Sequence, residues 1–311
     1  MSQRFKLVFL GSGAFGLPTL RALVKTHDVA MVVTQPDRPA GRGGTMTPTP
    51  IAAEVQTNFS SIPIIKPEKI NVPEVRDSIR ALNADVLVVI AFGQKLGKTL
   101  LDGVYAINLH GSILPRWRGA APINAAIIAG DSHVGNSVIT LADKMDAGLV
   151  LATSSHPTNP DWTASDLHDI LAADGPDLVE RVLRERPPGE AQNESLVTIA
   201  PKFSKADGWV DFRKSADECR RRIHGLNPWP GVTVQYRGQP LKLLRAKSVD
   251  RAGQEDTVPG SIVDPALGTV ACERSALQLV EVQAPGKRAM PWVDFARGHK
   301  PMKGEVLAGQ S

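Results

Sequence analysis

The chain has 311 residues, of which 42% are hydrophobic, and its formal net charge is +4. This length exceeds one typical domain, so we expect a globular protein whose core is divided between two domains. No run of about 18 apolar residues occurs and the first residues lack a secretory signal, so the sequence excludes a membrane-spanning helix and predicts a cytoplasmic protein.

The first half of the chain alternates apolar strands with helices. Runs rich in Val and Ile predict strands at residues 6–11, 29–35, 84–93, 105–112 and 136–142. Helical spacing of apolar residues predicts helices at residues 17–27, 72–84 and 122–130. Strands that are apolar on both faces and separated by helices are typical of the α/β class, with a doubly wound, mostly parallel sheet.

In the second half of the chain, the pattern of predicted elements changes after a polar stretch. Residues 165–187 predict one long helix or two, and the following residues are polar and punctuated by Gly and Pro. Beyond a helix at 216–226, short strands separated by Gly, Pro and Asp predict a small β-barrel or sandwich. We therefore predict a catalytic domain over 1–189, a linker over 190–207 and a second domain over 208–311.

The positive charge is concentrated in the second domain. Residues 191–311 hold 18 Lys and Arg against 13 Asp and Glu, whereas residues 1–190 hold 18 against 19. A basic domain joined to a nearly neutral one is compatible with a polyanionic partner such as nucleic acid, and equally with an ordinary solvated surface. The two cysteines, Cys219 and Cys272, are far apart in sequence, and no zinc-binding motif occurs, so we expect no disulfide framework and no metal.

A glycine-rich turn follows the first strand. The segment GSGAFG places Gly11, Gly13 and Gly16 in the G-x-G-x-x-G spacing of dinucleotide-binding proteins. Such a site needs an acidic residue at the end of the second strand, where Gln35 and Pro36 stand instead. We therefore interpret the glycines as permitting close packing between strand and helix.

Polar residues concentrate where the fourth strand ends. Asn108 and His110 are two positions apart, so their side chains would face the same side of a strand, at the carboxyl end of the sheet where α/β proteins bind ligands. A carboxamide and an imidazole can together stabilise an oxyanion and transfer a proton. The next loop offers Asp143 and Asp146 to orient the imidazole, and no Ser or Cys lies in a nucleophile elbow, which favours direct group transfer.

Four segments carry a resemblance that covers nearly the whole chain: NLHGSILPRWRGAAPI, TQPDRPAGRGGTMTPTPI, NPWPG and QAPGKRAM. Together they resemble the methionyl-tRNA formyltransferase family. The motif N-x-H-G-S with a later aspartate is shared by the formyltransferases that depend on 10-formyltetrahydrofolate. It therefore indicates the chemistry, whereas the other three segments indicate the acceptor.

The resemblance implies roles for individual residues. Asn108 and His110 would stabilise the formyl oxygen as it becomes an oxyanion, and Asp146, favoured over Asp143 because relatives read K-[ML]-D-A-G here, would hold His110. The formyl donor would be 10-formyltetrahydrofolate, with no metal. The folate-binding residues would be Ser112, Ile113, Leu114, Pro115, Phe92 and Gly93, although Phe92 could equally be a core residue.

The resemblance also implies a tRNA-binding surface. The loop at residues 35–50 would meet the acceptor end, with Arg42 near the first base pair, and the second domain would be OB-fold-like. Basic residues would contact phosphates. They are Lys202, Lys205, Arg220, Arg221 and Arg222. We interpret Arg116, Trp117 and Arg118 as structural support, and NPWP as a rigid hinge that packs Trp229.

We therefore expect a monomeric enzyme that transfers a formyl group to the α-amino group of methionyl initiator tRNA in translation initiation. Two alternatives are an amino-sugar N-formyltransferase that uses the same folate donor and a non-catalytic RNA-binding protein. The first has no need of a basic barrel, and the second has no need of catalytic groups in an α/β domain.

Overall fold

A computed structural model describes residues 3–41, 43–250 and 257–309. Up to residue 157 its elements are β1 (Lys6–Gly11), α1 (Leu17–Thr26), β2 (Asp28–Val33), β3 (Arg38–Ala40), β4 (Thr45–Thr47), α2 (Pro50–Asn58), β5 (Ile64–Ile65), α3 (Pro73–Arg80), β6 (Val86–Ile90), α4 (Lys98–Leu101), β7 (Tyr105–His110), β8 (Arg118–Gly119), α5 (Pro122–Ala129), β9 (His133–Val134), β10 (Ser137–Thr140), β11 (Val150–Thr153) and β12 (His156–Pro157). The later elements are α6 (Ala164–Glu185), β13 (Ile199–Ala200), α7 (Ala216–Gly225), β14 (Val232–Tyr236), β15 (Gln239–Val249), β16 (Ile262–Asp264), β17 (Thr269–Ala271), β18 (Ala276–Gln283), β19 (Met290–Pro291) and α8 (Trp292–His299).

The chain divides into two compact units. The first unit comprises Met1–Arg118, Gly135–His156 and His168–Ile199, and the second comprises Gly119–Val134, Pro157–Leu167 and Ala200–Ser311. Helix α5 therefore groups with the second unit, although it lies within the first 189 residues.

The first unit is built on a seven-stranded sheet in the order β11-β10-β7-β6-β1-β2-β5. Strands β5, β2, β1, β6 and β7 are parallel, and β10 and β11 are antiparallel to their neighbours. All five residues of β6 are buried, as expected for a strand covered on both faces. The predicted α/β fold with a mostly parallel sheet is confirmed.

The glycine-rich turn after β1 is explained by packing. A side chain at Gly11 would collide with the ring of Phe9 and with the carbonyl oxygen of Ile90. A side chain at Gly16 would press on the same ring, because its Cβ would lie 3.2 Å from Phe9 Cζ. Glycine is therefore required for the close approach of strand and helix.

The second unit contains an antiparallel sheet in the order β14-β15-β18-β17-β16, and β19 pairs with β18. The chain after α8 bonds to both edges of this sheet. Ala308 exchanges two hydrogen bonds of 2.9 Å with Gln235 of β14, and Ile262 of β16 donates to the carbonyl oxygen of Glu305 at 2.7 Å. The sheet thereby closes as the predicted barrel requires.

Two local features of this unit differ from the sequence-based expectations. Helix α8 was not predicted, yet it contributes Trp292 and Phe295 to the core of the unit. The prediction that Trp229 packs down is wrong, because 52% of this residue is exposed. The backbone of the turn is held instead, since the amide of Gly231 donates to the carbonyl of Leu226 at 2.9 Å.

Candidate active site

The predicted catalytic pair lies at the end of β7, in the first unit. In this strand Asn108 stands opposite Val89 of the parallel strand β6 and opposite Ile139 of the antiparallel strand β10. His110 is the last residue of the strand and stands opposite Ser137. The period of a β-strand places both side chains on the same face of the sheet.

The imidazole of His110 is buried, and each of its nitrogens faces an oxygen atom. Its Nε2 lies 2.9 Å from the carbonyl oxygen of Trp117, and its Nδ1 lies 3.7 Å from Oδ2 of Asp146. A carbonyl oxygen only accepts hydrogen bonds, so Nε2 is the nitrogen that donates. Nδ1 is therefore the nitrogen left for proton transfer, and it is the one that faces the carboxylate.

The two aspartates of the loop after β10 occupy different environments. The carboxylate of Asp143 is exposed and pairs with Lys98 at 2.8 Å, and this ammonium group lowers the pKa of Asp143. The side chain of Asp146 is 15% exposed and faces His110. The geometry therefore favours Asp146 as the residue that orients the imidazole.

Local backbone geometry sets the position of Asp146. This residue has a φ of 52°, in the left-handed region that non-glycine residues rarely adopt. A side chain at Gly148 would collide with the carbonyl of Thr140, so glycine lets the loop fold against β10. The motif K-M-D-A-G thus turns sharply, and Asp146 faces the end of β7.

The carboxamide of Asn108 is partly exposed, and within the described part of the chain it has no hydrogen-bond partner. A buried structural amide would normally be satisfied by neighbouring groups. Its donor capacity therefore remains available to a bound molecule.

Most polar groups of the segment at 112–115 are already engaged. The hydroxyl of Ser112 donates to the carbonyl of Arg116 at 2.7 Å, and the amide of Leu114 donates to the hydroxyl of Ser137 at 3.0 Å. The side chains of Ser112 and Leu114 are buried, whereas Ile113 and Pro115 are partly exposed. A ligand on this segment would therefore meet Ile113 and Pro115, because the amide of Leu114 is occupied.

Phe92 and Gly93 follow β6 and differ in exposure. The ring of Phe92 is buried in the core of the first unit, as its alternative interpretation predicted, and its carbonyl accepts from Ser12 Oγ and Gln35 Nε2, each at 3.1 Å. Gly93 is exposed and has a φ of 87°. Of the two, only Gly93 presents a surface that a ligand could touch directly.

Trp117 and Arg118 support the site, as predicted. The amide of Trp117 donates to Thr198 Oγ1 at 2.9 Å. Arg118 is buried and pairs with Glu194 at 2.7 Å, while its Nε donates to Gln192 Oε1 at 3.0 Å. The guanidinium of Arg116 lies over the indole of Trp117, 4.9 Å from the ring centroid.

The sequence did not single out Gln192, Glu194 or Thr198. They lie in the polar stretch interpreted as a linker, and nothing in their spacing distinguishes them from other loop residues. Their roles depend on contacts with residues 44 to 81 positions away in the chain, which local patterns do not reveal.

The predicted tRNA-binding residues of the second unit fall into two groups. Lys202 and Lys205 are exposed. The arginines of α7 are engaged within the unit instead: Arg220 and Arg221 pair with Asp217 at 2.6 and 3.0 Å, and Arg222 donates to the carbonyls of Trp209 and Asp207. Arg220 also donates to the carbonyl of Pro160. Arg42 lies outside the described residues.

Among the described residues, no group of three or more His, Cys, Asp or Glu could hold a metal ion. Cys219 and Cys272 are buried in the second unit, and their sulfurs lie 3.9 Å apart. Over residues 3–41, 43–250 and 257–309, no helix is long and apolar enough to cross a membrane.

Comparison with known proteins adds independent evidence. Residues 5–183 match the family described as Formyl transferase, and residues 202–300 match Formyl transferase, C-terminal domain. The solved structure of WlaRD, a sugar 3N-formyl transferase in the presence of dTDP and 5-N-formyl-THF, has a similar fold with a TM-score of 0.66 at 12% identity. The match covers 92% of this chain and 100% of that one.

Curated relatives are similar over nearly their whole length. The methionyl-tRNA formyltransferase of Methylococcus capsulatus is 39% identical over 302 residues, which cover 94% of this chain and 97% of that protein. That of Coxiella burnetii is 39% identical over 315 residues, covering 98% and 99% respectively. With this identity over both domains, the chain belongs to the methionyl-tRNA formyltransferase family.

Proposed function

We propose that this protein is an enzyme that transfers the formyl group of 10-formyltetrahydrofolate to the α-amino group of methionyl initiator tRNA. The observation that carries the proposal is the position of Asp146 Oδ2, 3.7 Å from Nδ1 of His110. The available carboxamide of Asn108 on the same face of β7 completes the set. This set can stabilise an oxyanion and move one proton, as formyl transfer requires.

The reaction forms one bond to the formyl carbon and breaks another. The free amine attacks the formyl carbon, and the carbonyl π electrons move onto the oxygen, where Asn108 donates a hydrogen bond to the resulting oxyanion. The attacking nitrogen loses a proton to Nδ1 of His110, and Asp146 stabilises the imidazolium. The bond to N10 of the folate then breaks as His110 returns the proton to N10, giving tetrahydrofolate and a formylated amine.

We place the folate along residues 112–115 and at Phe92 and Gly93. The exposure of Ile113, Pro115 and Gly93 supports direct contact, whereas Ser112, Leu114 and Phe92 would shape the wall from behind. This division follows from the hydrogen bonds that Ser112 and Leu114 already make.

We place the tRNA phosphates against the second unit. The exposed Lys202 and Lys205 support this assignment, as does the excess of Lys and Arg over Asp and Glu in residues 191–311. Arg220, Arg221 and Arg222 would contribute mainly by holding the unit together. The loop at 35–50, in which β3 and β4 pair, would carry Arg42 to the acceptor end.

The remaining parts of the proposal concern organisation. The catalytic domain would span 1–189, the linker 190–207 and the tRNA-binding domain 208–311. The protein would act as a monomer in the cytoplasm.

One assay with two acceptors and a buffer control tests the function. Purified protein is supplied with 10-formyltetrahydrofolate and, separately, with methionyl-tRNA, an amino-sugar nucleotide or buffer alone, and tetrahydrofolate release is followed. We expect release with methionyl-tRNA that greatly exceeds release in buffer. Release with the sugar nucleotide but not with methionyl-tRNA would indicate an amino-sugar N-formyltransferase. Binding of tRNA without any release of tetrahydrofolate would indicate a non-catalytic RNA-binding protein.

A further inference from the structure

A side chain from a distant part of the first unit holds the loop that carries Asp146. Gln192 Nε2 donates to the carbonyl oxygen of Asp146 and to that of Gly148, each at 2.8 Å. The two carbonyls lie on either side of Ala147, so one carboxamide holds the turn that directs Asp146 toward His110.

Hydrogen-bond chemistry determines the orientation of this carboxamide. Arg118 Nε can only donate, and it bonds to Gln192 Oε1 at 3.0 Å. The two carbonyl oxygens can only accept, so both hydrogens of the Gln192 amino group are directed at the loop. Flipping the amide would leave all three bonds unmade.

The anchor of Gln192 is itself immobilised. Arg118 is 5% exposed, and its guanidinium is paired with Glu194 at 2.7 Å. The amide of Arg118 donates to the carbonyl oxygen of Thr198 at 2.9 Å, which fixes the backbone beside it. A buried guanidinium with these partners cannot shift without losing charge-assisted hydrogen bonds.

The two groups that face His110 therefore depend on Trp117 and Arg118, which are neighbours in the sequence. The carbonyl of Trp117 accepts from Nε2 of His110, and the side chain of Arg118, through Gln192, holds the loop whose carboxylate faces Nδ1. We infer that Gln192 is a positioning residue for the proposed formyl transfer, on which this inference rests, and that it acts by holding Asp146 in a φ of 52° against His110.

Three variants test this role. Gln192→Met keeps the length of the side chain and removes all three hydrogen bonds, whereas Gln192→Glu keeps an acceptor for Arg118 and removes both donors to the loop. Asn193→Ala is the matched control, because Asn193 Oδ1 accepts only from its neighbour Ser195 among the bonds described. Steady-state kcat and the KM for each substrate are measured, with amide hydrogen exchange of residues 143–149.

We expect kcat to fall at least about tenfold in both Gln192 variants, since small misplacements of catalytic groups are costly. KM for both substrates should stay within about twofold, because Gln192 touches neither proposed binding surface, and exchange in the loop should rise. Asn193→Ala should match the wild type. Equal losses in the two Gln192 variants would show that donation to the loop, rather than contact with Arg118, supports catalysis.

Two results would overturn the inference. One is a wild-type kcat in folded Gln192→Glu protein. This variant retains the size of the native side chain and its Arg118 partner, so it guards against misfolding. The other is a lower kcat with unchanged exchange in residues 143–149. Failure of the proposed function is distinguishable, because the wild type would then release no tetrahydrofolate with methionyl-tRNA.

Discussion

Asp146 Oδ2 lies 3.7 Å from Nδ1 of His110, although the two residues belong to different elements of the first unit. Asp143, three positions earlier on the same loop, instead pairs with Lys98. The chain thus provides two aspartates of the same loop in contrasting environments.

This contrast yields the first prediction. Asp146→Asn removes the charge that faces His110 in the proposed mechanism, and we expect kcat to fall by about 10²-fold or more with little change in KM. Asp143→Asn is the control and should leave kcat within about twofold of the wild type. Equal effects of the two substitutions would contradict the assignment of Asp146.

The second prediction concerns the groups on β7. Asn108→Ala and His110→Ala should each lower kcat by roughly 10²–10³-fold, the scale expected for losing an oxyanion donor. Folate affinity should be retained, because neither side chain belongs to the proposed folate wall, and equilibrium binding of the folate checks this. Nearly wild-type turnover in folded Asn108→Ala protein would exclude the proposed mechanism.

The third prediction concerns the affinity of the second unit for tRNA. Replacing Lys202 and Lys205 by Ala should raise KM for tRNA and reduce the slope of log K against log salt by up to about 2, because each lost phosphate contact removes about one released counterion. Replacement of both lysines by Arg keeps the charge and should restore the slope.

The arginines of α7 should behave differently in the same experiment. Arg222 donates to two backbone carbonyls and lies over the indole of Trp209, and burial lowers its pKa. Replacing Arg220, Arg221 and Arg222 together should therefore lower the free energy of unfolding as well as weaken tRNA binding. A large rise in KM for tRNA at unchanged stability would show instead that these arginines contact phosphates directly.

The fourth prediction concerns Arg42, which the resemblance places at the first base pair of the acceptor end. Arg42→Ala should lower kcat/KM for methionyl initiator tRNA by at least about tenfold, or ~1.4 kcal/mol, because the amine must be steered to the formyl carbon. Selectivity over a fully paired tRNA should also shrink. Wild-type efficiency with both tRNAs would assign acceptor recognition to other residues.

The fifth prediction is a pH dependence of stability. His224 on α7 is buried, and its Nε2 accepts from the amide of Ala246 at 3.0 Å. Burial, together with Arg220 and Arg245, lowers its pKa to about 4. Because the unfolded pKa is about 6.5, the stabilisation is complete above pH 6.5 and is lost as the pH falls through about 4.

Denaturant unfolding at two pH values measures this effect. From pH 7.5 to 5, His224 should contribute a loss of about 2 kcal/mol in the free energy of unfolding. His224→Gln offers an acceptor that does not titrate, so its stability should decline less over the same interval. An identical decline in both proteins would mean that other groups cause the pH dependence.

The sequence alone was sufficient to infer the fold class and to place two polar side chains on one face of β7. Apolar runs separated by helices specify buried parallel strands, because a strand covered on both faces has no polar side. The period of two places Asn108 and His110 on one face in any strand. These properties are local, so they could be inferred without knowing what packs against them.

The partners of those groups were decided by tertiary structure. Asp143 and Asp146 have the same side chain on the same loop, and only the turn at Gly148, folded against β10 and held by Gln192, directs one of them to His110. The ion pairs of Arg220 and Arg221 with Asp217 and the exposure of Trp229 were also missed. Such features depend on which distant backbone carbonyls, carboxylates and core residues come into contact, and residue spacing along the chain does not encode those contacts.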